Sequence, residues 1–310
     1  MDRLSALPTL GVGVLYNPSL PEILRAEVEA VDYIEITPDM FWTDHGPGSD
    51  PQYEELESWV EFLDWIAKRR PIVAHNIGLS IGNAGRFDEN YVRHIESWNQ
   101  RYRFPWHSDH LAFADVVGAD GHIRNAGSAL PVPYDFEALD MLVERVNRVQ
   151  EIVPVPFLLE NNVYFVVIPD QEMTEPQFLN ALTARTGCGL LLDIHNLYAN
   201  ARNHHFDARD FVEGLDLTRV VETHIAGGSE FAGMYTDSHS GACPEAVWEL
   251  LEHVVPRAPN LRAITFEFHD SYYPFLGPEG VRDQLTRARS IFARHSESDI
   301  DATSIRTRAL

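Results

Sequence analysis

Hydrophobic and polar positions alternate along this chain between two textures. Short apolar runs recur as "LGVGVLY" (10–16), "YIEI" (33–36), "PIVAHN" (71–76) and "HSDHLAF" (107–113), then as "PFLLENN" (156–162), "GLLLDIHN" (189–196), "VVETHIAGG" (220–228) and "AITFEFHD" (263–270). They are rich in aliphatics and mostly lack polar alternation, the pattern of parallel strands buried on both faces. Helical periodicity fills the gaps, as in "PQYEELESWVEFLDWIAKR" (51–69), "YDFEALDMLVERVNRVQEI" (134–152), "TEPQFLNALTAR" (174–185) and "CPEAVWELLEHVV" (243–255). Thr174, with Pro176 two positions on, reads as a helix start. Eight such strand–helix units predict an α/β fold, a single (β/α)8 TIM barrel over residues 1–295, an architecture of ~250 residues plus insertions. A doubly wound open sheet would carry a glycine-rich phosphate loop after its first strand, and "YNPSLPE" is not one. The stretch "SESDIDATSIRTRAL" (296–310) is polar and without a period, so a mobile tail is expected there.

Polar residues gather at the C-terminal strand ends, where barrels of this kind build their sites. Strand two ends in Glu35, strand three in His75, strand four in Asp109 and His110, and strand five in Glu160 and Asn161. Strand six ends in Asp193, His195 and Asn196, and strand seven in His224, followed by Asp237 and His239 in the next loop. Strand eight ends in Glu267 and His269. Carboxylates packed together raise one another's pKa, and a cluster of cations relieves that repulsion. The donors are nitrogen and oxygen with no thiolate, which suits iron, manganese or zinc, and a carboxylate between two ions can bridge them. A lone strand-end Glu can simply cap a loop or pair with an arginine, so Glu35 is not counted as a ligand. His107, two residues before Asp109, is placed behind the ligands. His45, His94, His122, His204, His205, His253 and His295 fall in loops or helices and are read as surface residues.

Composition narrows the function classes. The chain has 310 residues, 45% of them apolar, enough for a sizeable core. Its 47 acidic residues against 24 basic ones give a net charge of −23, and no basic patch appears, which argues against a nucleic-acid partner. The single lysine is Lys68. Cys188 and Cys243 are too few for a disulfide framework or a thiolate cage. Cys188 is expected to pack, and Cys243, at a helix start, is at best a weak redox candidate. No apolar run approaches the ~20 residues of a membrane span, and Pro8 and Gly11 interrupt the N-terminal apolar stretch. A cytoplasmic protein without membrane attachment is expected.

The motifs "HNIGLSIG" (75–82), "SDHLAF" (108–113), "LLEN" (158–161), "GCGLLLDIHNLYANARNH" (187–204), "HIAGG" (224–228) and "DSHS" (237–240) resemble, in order, those of the multinuclear non-haem iron-dependent oxidative enzymes. That family includes the iron subunit of methanobactin synthase. The resemblance implies a TIM barrel holding two or three irons, in mixed Fe(II) and Fe(III) states, with dioxygen as co-substrate. It implies oxidation of a cysteine or another residue in a ribosomally made precursor peptide, with a partner protein presenting that peptide. The ligand order also resembles the trinuclear zinc barrel of endonuclease IV. Carried over, Glu160 bridges a first metal held by His75 and His110. Asp193, His224 and Glu267 hold a second metal, and Asn196, Asp237 and His239 a third. Asn196 stands where the nuclease has histidine, which favours the oxidative family. Asp109, Asn161 and His195 flank the ligands and are assigned catalytic roles. Relatives often carry asparagine at the His195 position, so an extra base or ligand is expected here. They often carry Pro-Ser where this chain has Asn162-Val163, in a loop that faces the pocket, so the substrate is expected to differ from that of the best-known members. The rival readings are an endonuclease IV-like phosphodiesterase, a xylose isomerase-like sugar isomerase, which normally wants a lysine near the metals, and a non-catalytic metal scaffold.

Overall fold

A computed structural model describes the backbone of residues 3–307 and the side chains of residues 3–294. Eight parallel strands close into one barrel, in the order β1-β8-β7-β6-β5-β4-β3-β2. They are β1 (Gly11–Leu15), β2 (Tyr33–Ile36), β3 (Ile72–Asn76), β4 (His107–His110), β5 (Phe157–Glu160), β6 (Gly189–Asp193), β7 (Val220–Ala226) and β8 (Ala263–Glu267). Each lies inside one of the eight apolar runs, so the expected (β/α)8 barrel is the fold found. The helix expected from Thr174 runs over Glu175–Thr186. The Thr174 hydroxyl and the Gln177 side chain cap it reciprocally, with a proline in its first turn.

The barrel interior is filled from the bottom. Leu4, Tyr33, Val73, Trp106, Leu158, Leu191, Val221 and Ala263 form a separate buried cluster. Gly13 makes room for one of them: a Cβ there would stand 2.7 Å from the Tyr33 ring. Above this floor lies a buried polar layer that the apolar runs did not announce. Glu222 accepts hydrogen bonds from the Tyr33 hydroxyl (3.0 Å), Thr265 (3.0 Å) and the Trp106 indole (2.7 Å). Burial, then the neighbouring Glu35 charge, pushes the Glu222 carboxyl up to about 7.

Because strand side chains alternate between faces, the residue two positions beyond four of these floor residues also points inward. Val73 leads to His75, Leu158 to Glu160, Leu191 to Asp193 and Tyr33 to Glu35. A packed floor therefore sets the height and direction of a polar rim.

Several features depart from expectation. Strand four ends at His110, and an antiparallel hairpin, Ala112–Val117 with Ile123–Pro131, follows it. Strand six ends at Asp193, because its carboxylate caps a helix that begins at once, Ile194–His204. His195 and Asn196 thus lie on that helix's first turn. Tyr53–Glu55 pairs with Trp42–Asp44, so the helix expected from residue 51 starts at Glu57. The final helix, Tyr273–Thr307, breaks its φ/ψ at Gly277 and enters the stretch expected to be a mobile tail. The side chains of that stretch, and His295, lie outside the described residues. Among the described residues no helix is long and apolar enough to cross a membrane.

Leu191 is fully buried in the barrel floor. Leu191→Ala leaves a cavity there and is expected to lower unfolding free energy by about 2–5 kcal/mol in chemical denaturation. A loss below about 1 kcal/mol would show that the floor is not packed around this residue.

Candidate metal centre

Glu160 is the hub of the rim. Its Oε2 lies 3.2 Å from His75 Nε2 and 3.2 Å from His110 Nε2. Its Oε1 accepts a hydrogen bond from Asn196 Nδ2 (3.1 Å) and faces His224 Nδ1 at 4.0 Å. On the far side, Glu267 spans His224 Nδ1 (3.3 Å) and His239 Nε2 (3.4 Å). Asp237 Oδ1 lies 3.0 Å from His239 Nε2 and 3.0 Å from His195 Nδ1. The nine residues expected as metal ligands are thus brought to one end of the barrel. His75, His110 and Glu160 offer donor atoms within 4.8 Å of one another, and so do Glu160, Asp193 and His224.

The donor atoms are buried without hydrogen-bond partners: Glu160 Oε2, Asp193 Oδ2, Asn196 Oδ1, His224 Nδ1, Asp237 Oδ1 and His239 Nε2. Buried polar atoms are normally satisfied. Six orphans converging in one place fit a set of cations. All are nitrogen or oxygen, which matches hard-to-borderline metals.

Protons stand in for such cations in the metal-free chain. Burial alone would lower His75, but the charge of Glu160 raises it to about 9. Burial likewise opposes charge on His239, and Asp237 with Glu267 still raises it to about 10. Glu160 shows the converse: burial would raise it, yet His110 and His75 hold it at about 2. Burial, and then the charges of Glu160 and Asp237, lifts Asp193 well above the usual carboxylate range.

Local structure aims each group. Asp193 Oδ1 accepts from the Asn196 backbone (2.7 Å), which leaves Oδ2 for the rim. Asn161 is engaged at both ends of its carboxamide by the Asp193 backbone, at 2.9 and 2.8 Å. It clamps β5 to β6 and faces no open space, so the catalytic role assigned to it gives way to a positioning one. His195 is fully buried and faces Asp237, behind the rim. Gly228 admits it, since a Cβ there would approach His195 Nε2 to 2.7 Å. The short hairpin Ser229–Phe231 with Met234–Thr236 carries Asp237 and His239 over the mouth. Asn203, on the helix that begins at the rim, pins this hairpin through both Tyr235 backbone groups (2.8 Å each).

Glu35, discounted from sequence, belongs to the centre. It is completely buried, with Oε2 2.9 Å from His224 Nε2. Holding a proton at Nε2 turns the Nδ1 lone pair toward the rim, the arrangement in which carboxylates orient metal-binding histidines. Its signal was present in the sequence as an inward position two residues beyond Tyr33.

Asp109 lines a cavity of about 290 Å³ with Ile77, His110, Phe113 and Asn125, beneath the hairpin that follows β4. Burial, then the Asp39 charge, pushes its carboxyl well above the ordinary range. His110, His239 and Asp237 are the rim side chains open to solvent, at 27%, 26% and 20%.

Other expectations shift. His107 packs on Phe157 and is lowered by burial to about 3, away from the rim. His94 is not a surface residue but stacks on Tyr53 at 4.3 Å, and His204 stacks on Tyr164 at 4.6 Å. His269 is exposed and bonds Ser271. Burial pushes both thiols up, Cys188 to about 11 and Cys243 well above its ordinary value. Lys68 is exposed ahead of β3, at the end of the barrel opposite the rim.

Comparison with known proteins places the chain. A UPF0276 protein of Rhizorhabdus wittichii is 33% identical over 286 residues, covering 92% of this chain and 95% of its own length. Among solved structures, endonuclease IV from Thermus thermophilus aligns with TM-score 0.52 at 15% identity, over 92% of this chain and 99% of its own. The IOLI protein with a binding zinc atom aligns with TM-score 0.56 at 15% identity, again over 92% and 99%. At that identity the two structures speak for the barrel fold alone. Residues 9–291 match one family across nearly the whole chain, and this protein belongs to it: the RiPP precursor modification enzymes MbnB/TglH/ChrH.

Proposed function

We propose that this chain binds two or three iron ions and uses dioxygen to oxidise a cysteine of a ribosomally synthesised precursor peptide, which a partner protein presents to it in the cytoplasm. The observation that carries the reading is the convergence of six buried, unpartnered nitrogen and oxygen donors at the mouth of the barrel. In this reading His75, His110 and Glu160 hold one ion. Asp193, His224 and Glu267 hold a second, and Asn196, Asp237 and His239 a third. When bound, iron supplies the redox chemistry toward dioxygen and an open position for a thiolate, a soft anionic ligand.

The chain's own residues do the rest. Glu35 keeps the His224 Nε2 proton and fixes the ring. Asn161 and the Asn196 backbone set the Asp193 carboxylate before any ion arrives. His195 orients Asp237 from behind. The cavity beside His110 admits a substrate side chain, and the protonated Asp109 carboxyl, whose Oδ2 is unpartnered, offers a proton there. The buried floor excludes water from below. The absence of any lysine at the rim speaks against sugar isomerisation, and the −23 charge against a DNA substrate.

Glu160→Ala should strip most of the metal, and Asn196→Ala less, because Glu160 belongs to two of the donor groups at the rim and would serve two ions, whereas the amide would serve one. Both variants should stay folded on the barrel core, and elemental analysis of purified protein decides. Full metal content in Glu160→Ala contradicts the ligand assignment.

Loading metal at pH 7 should release several protons, because His75 and His239 titrate at about 9 and 10, His224 and Asp193 are raised well above their ordinary values, and all four must deprotonate to bind. Affinity should therefore rise with pH below those values, about tenfold per pH unit for each displaced proton. Calorimetry in buffers of different ionisation enthalpy counts the protons, and no release would contradict the assignment.

The function itself is tested with a synthetic peptide copied from a short cysteine-containing reading frame beside the gene. Titrated anaerobically into iron-loaded enzyme, it should give a thiolate-to-iron charge-transfer band, and mass spectrometry should show a modified product after oxygen is admitted. A Cys→Ser peptide should give neither. Equal modification of that peptide would show that cysteine is not the target.

A further inference from the structure

Away from the rim, a cavity of about 550 Å³ opens at the start of the helix Glu175–Thr186. Tyr164, Pro176, Phe206 and Phe211 line it with apolar surface, and Glu175, Asp207 and Asp210 line it with acid. Glu175 is 7% exposed, and neither of its oxygens makes a hydrogen bond of normal geometry. The groups around it are otherwise occupied. Thr174 and Gln177 cap each other, and Asp207 caps the following helix through the Arg209 backbone. The Tyr134 hydroxyl pulls the Glu175 carboxyl down, and among the described residues no cation lines the cavity.

A carboxyl in the first turn of a helix is normally stabilised as the anion. Here burial outweighs that benefit and pushes Glu175 up to about 8. A buried carboxyl whose neighbour is a neutral hydroxyl, facing a cavity of ligand size and flanked by two more acids, lacks a counter-charge. Aromatic walls add a surface on which a guanidinium or an alkyl-ammonium group packs well.

The cavity is joined to the metal centre by chain continuity. Tyr164 lies four residues beyond Glu160. Its backbone is tied to Asn200 and His204 of the helix that starts at Asp193 (3.1 and 2.9 Å). Next to Tyr164, Phe165, Val166 and Val167 are exposed at 39%, 53% and 69%, an apolar strip beside a second hollow lined by Val166, Val167, Tyr164 and His204. We infer that this cavity is a specificity site that takes an arginine or lysine side chain of the peptide substrate, with Glu175 as its counter-charge and the Phe165–Val167 strip as the bed for the neighbouring residues. The inference rests on the peptide reading of the function and adds the class of residue the peptide carries away from its reacting position.

The test uses the full chain and binding alone, with no turnover. Nα-acetyl-arginine methylamide is titrated by NMR or calorimetry against its neutral isostere, Nα-acetyl-citrulline methylamide. The arginine probe should bind at least tenfold tighter. Glu175→Gln should remove that preference while metal content stays unchanged. Asp210→Asn, an exposed position, should weaken the arginine probe severalfold and keeps the test decisive if Glu175→Gln disturbs folding. Equal binding of the two probes, or arginine binding unchanged in both variants, overturns the site. Spermidine binding tighter than the arginine probe overturns the assignment to a peptide side chain. Because the probes carry no thiol, arginine binding without any peptide oxidation would fail the proposed function alone. Cysteine oxidation with no arginine preference would fail this inference alone.

Discussion

The constraint on which this structure turns is the crowding of like charges in a dry place. Glu35, Glu160, Asp193 and Glu267 are all at least 97% buried within one barrel mouth, interleaved with His75 and His224. Carboxylates so close and so desolvated cannot all ionise unless positive charge stands between them. In the metal-free chain, imidazolium protons supply it, which is why His75 and His239 are raised while Glu160 and Asp237 are lowered. The rest of the fold serves to keep those groups together. An apolar floor fixes the strand register from below, Asn161 and Asn196 lock the neighbouring backbone, and the hairpin pinned by Asn203 closes the mouth from above.

Much of this was legible in the sequence because strands repeat every two residues. Val73 followed by His75, or Leu158 followed by Glu160, is a floor residue followed by a rim residue, and eight apolar runs marked all eight barrel strands. What escaped depended on contacts between distant segments. The pairing of residues 112–117 with 123–131 joins runs with little hydrophobic alternation, in a segment that looked like a strand end and a loop. Asp193 as a helix cap, rather than one of three polar strand residues, needs the Asn196 backbone to meet its carboxylate. Glu35 looked like a lone strand-end acid, since only the closed barrel brings β2 across to His224 on β7. His94 looked exposed because its stacking partner, Tyr53, sits on a strand that the helical pattern had absorbed.

The barrel is shared with proteins of quite different chemistry, among them a nuclease and a zinc-binding protein at 15% identity, so the fold says little about the reaction. The distinctive chemistry lies in the rim. An amide, Asn196, stands among the expected ligands, a fully buried His195 faces Asp237 from behind, and the single lysine, Lys68, lies elsewhere. Such a set of nitrogen and oxygen donors suits hard-to-borderline metals. Among the described residues, the rim meets solvent at His110, Asp237 and His239.

The central claim is that the rim is one site for several cations. The direct measurement is anaerobic titration of the metal-free chain with Fe(II), followed by elemental analysis and Mössbauer spectroscopy of the iron-57 form. Two to three irons per chain are expected, with spectra that show magnetic coupling between them once they are partly oxidised. A single isolated iron, or stoichiometric zinc that iron cannot displace, would contradict it.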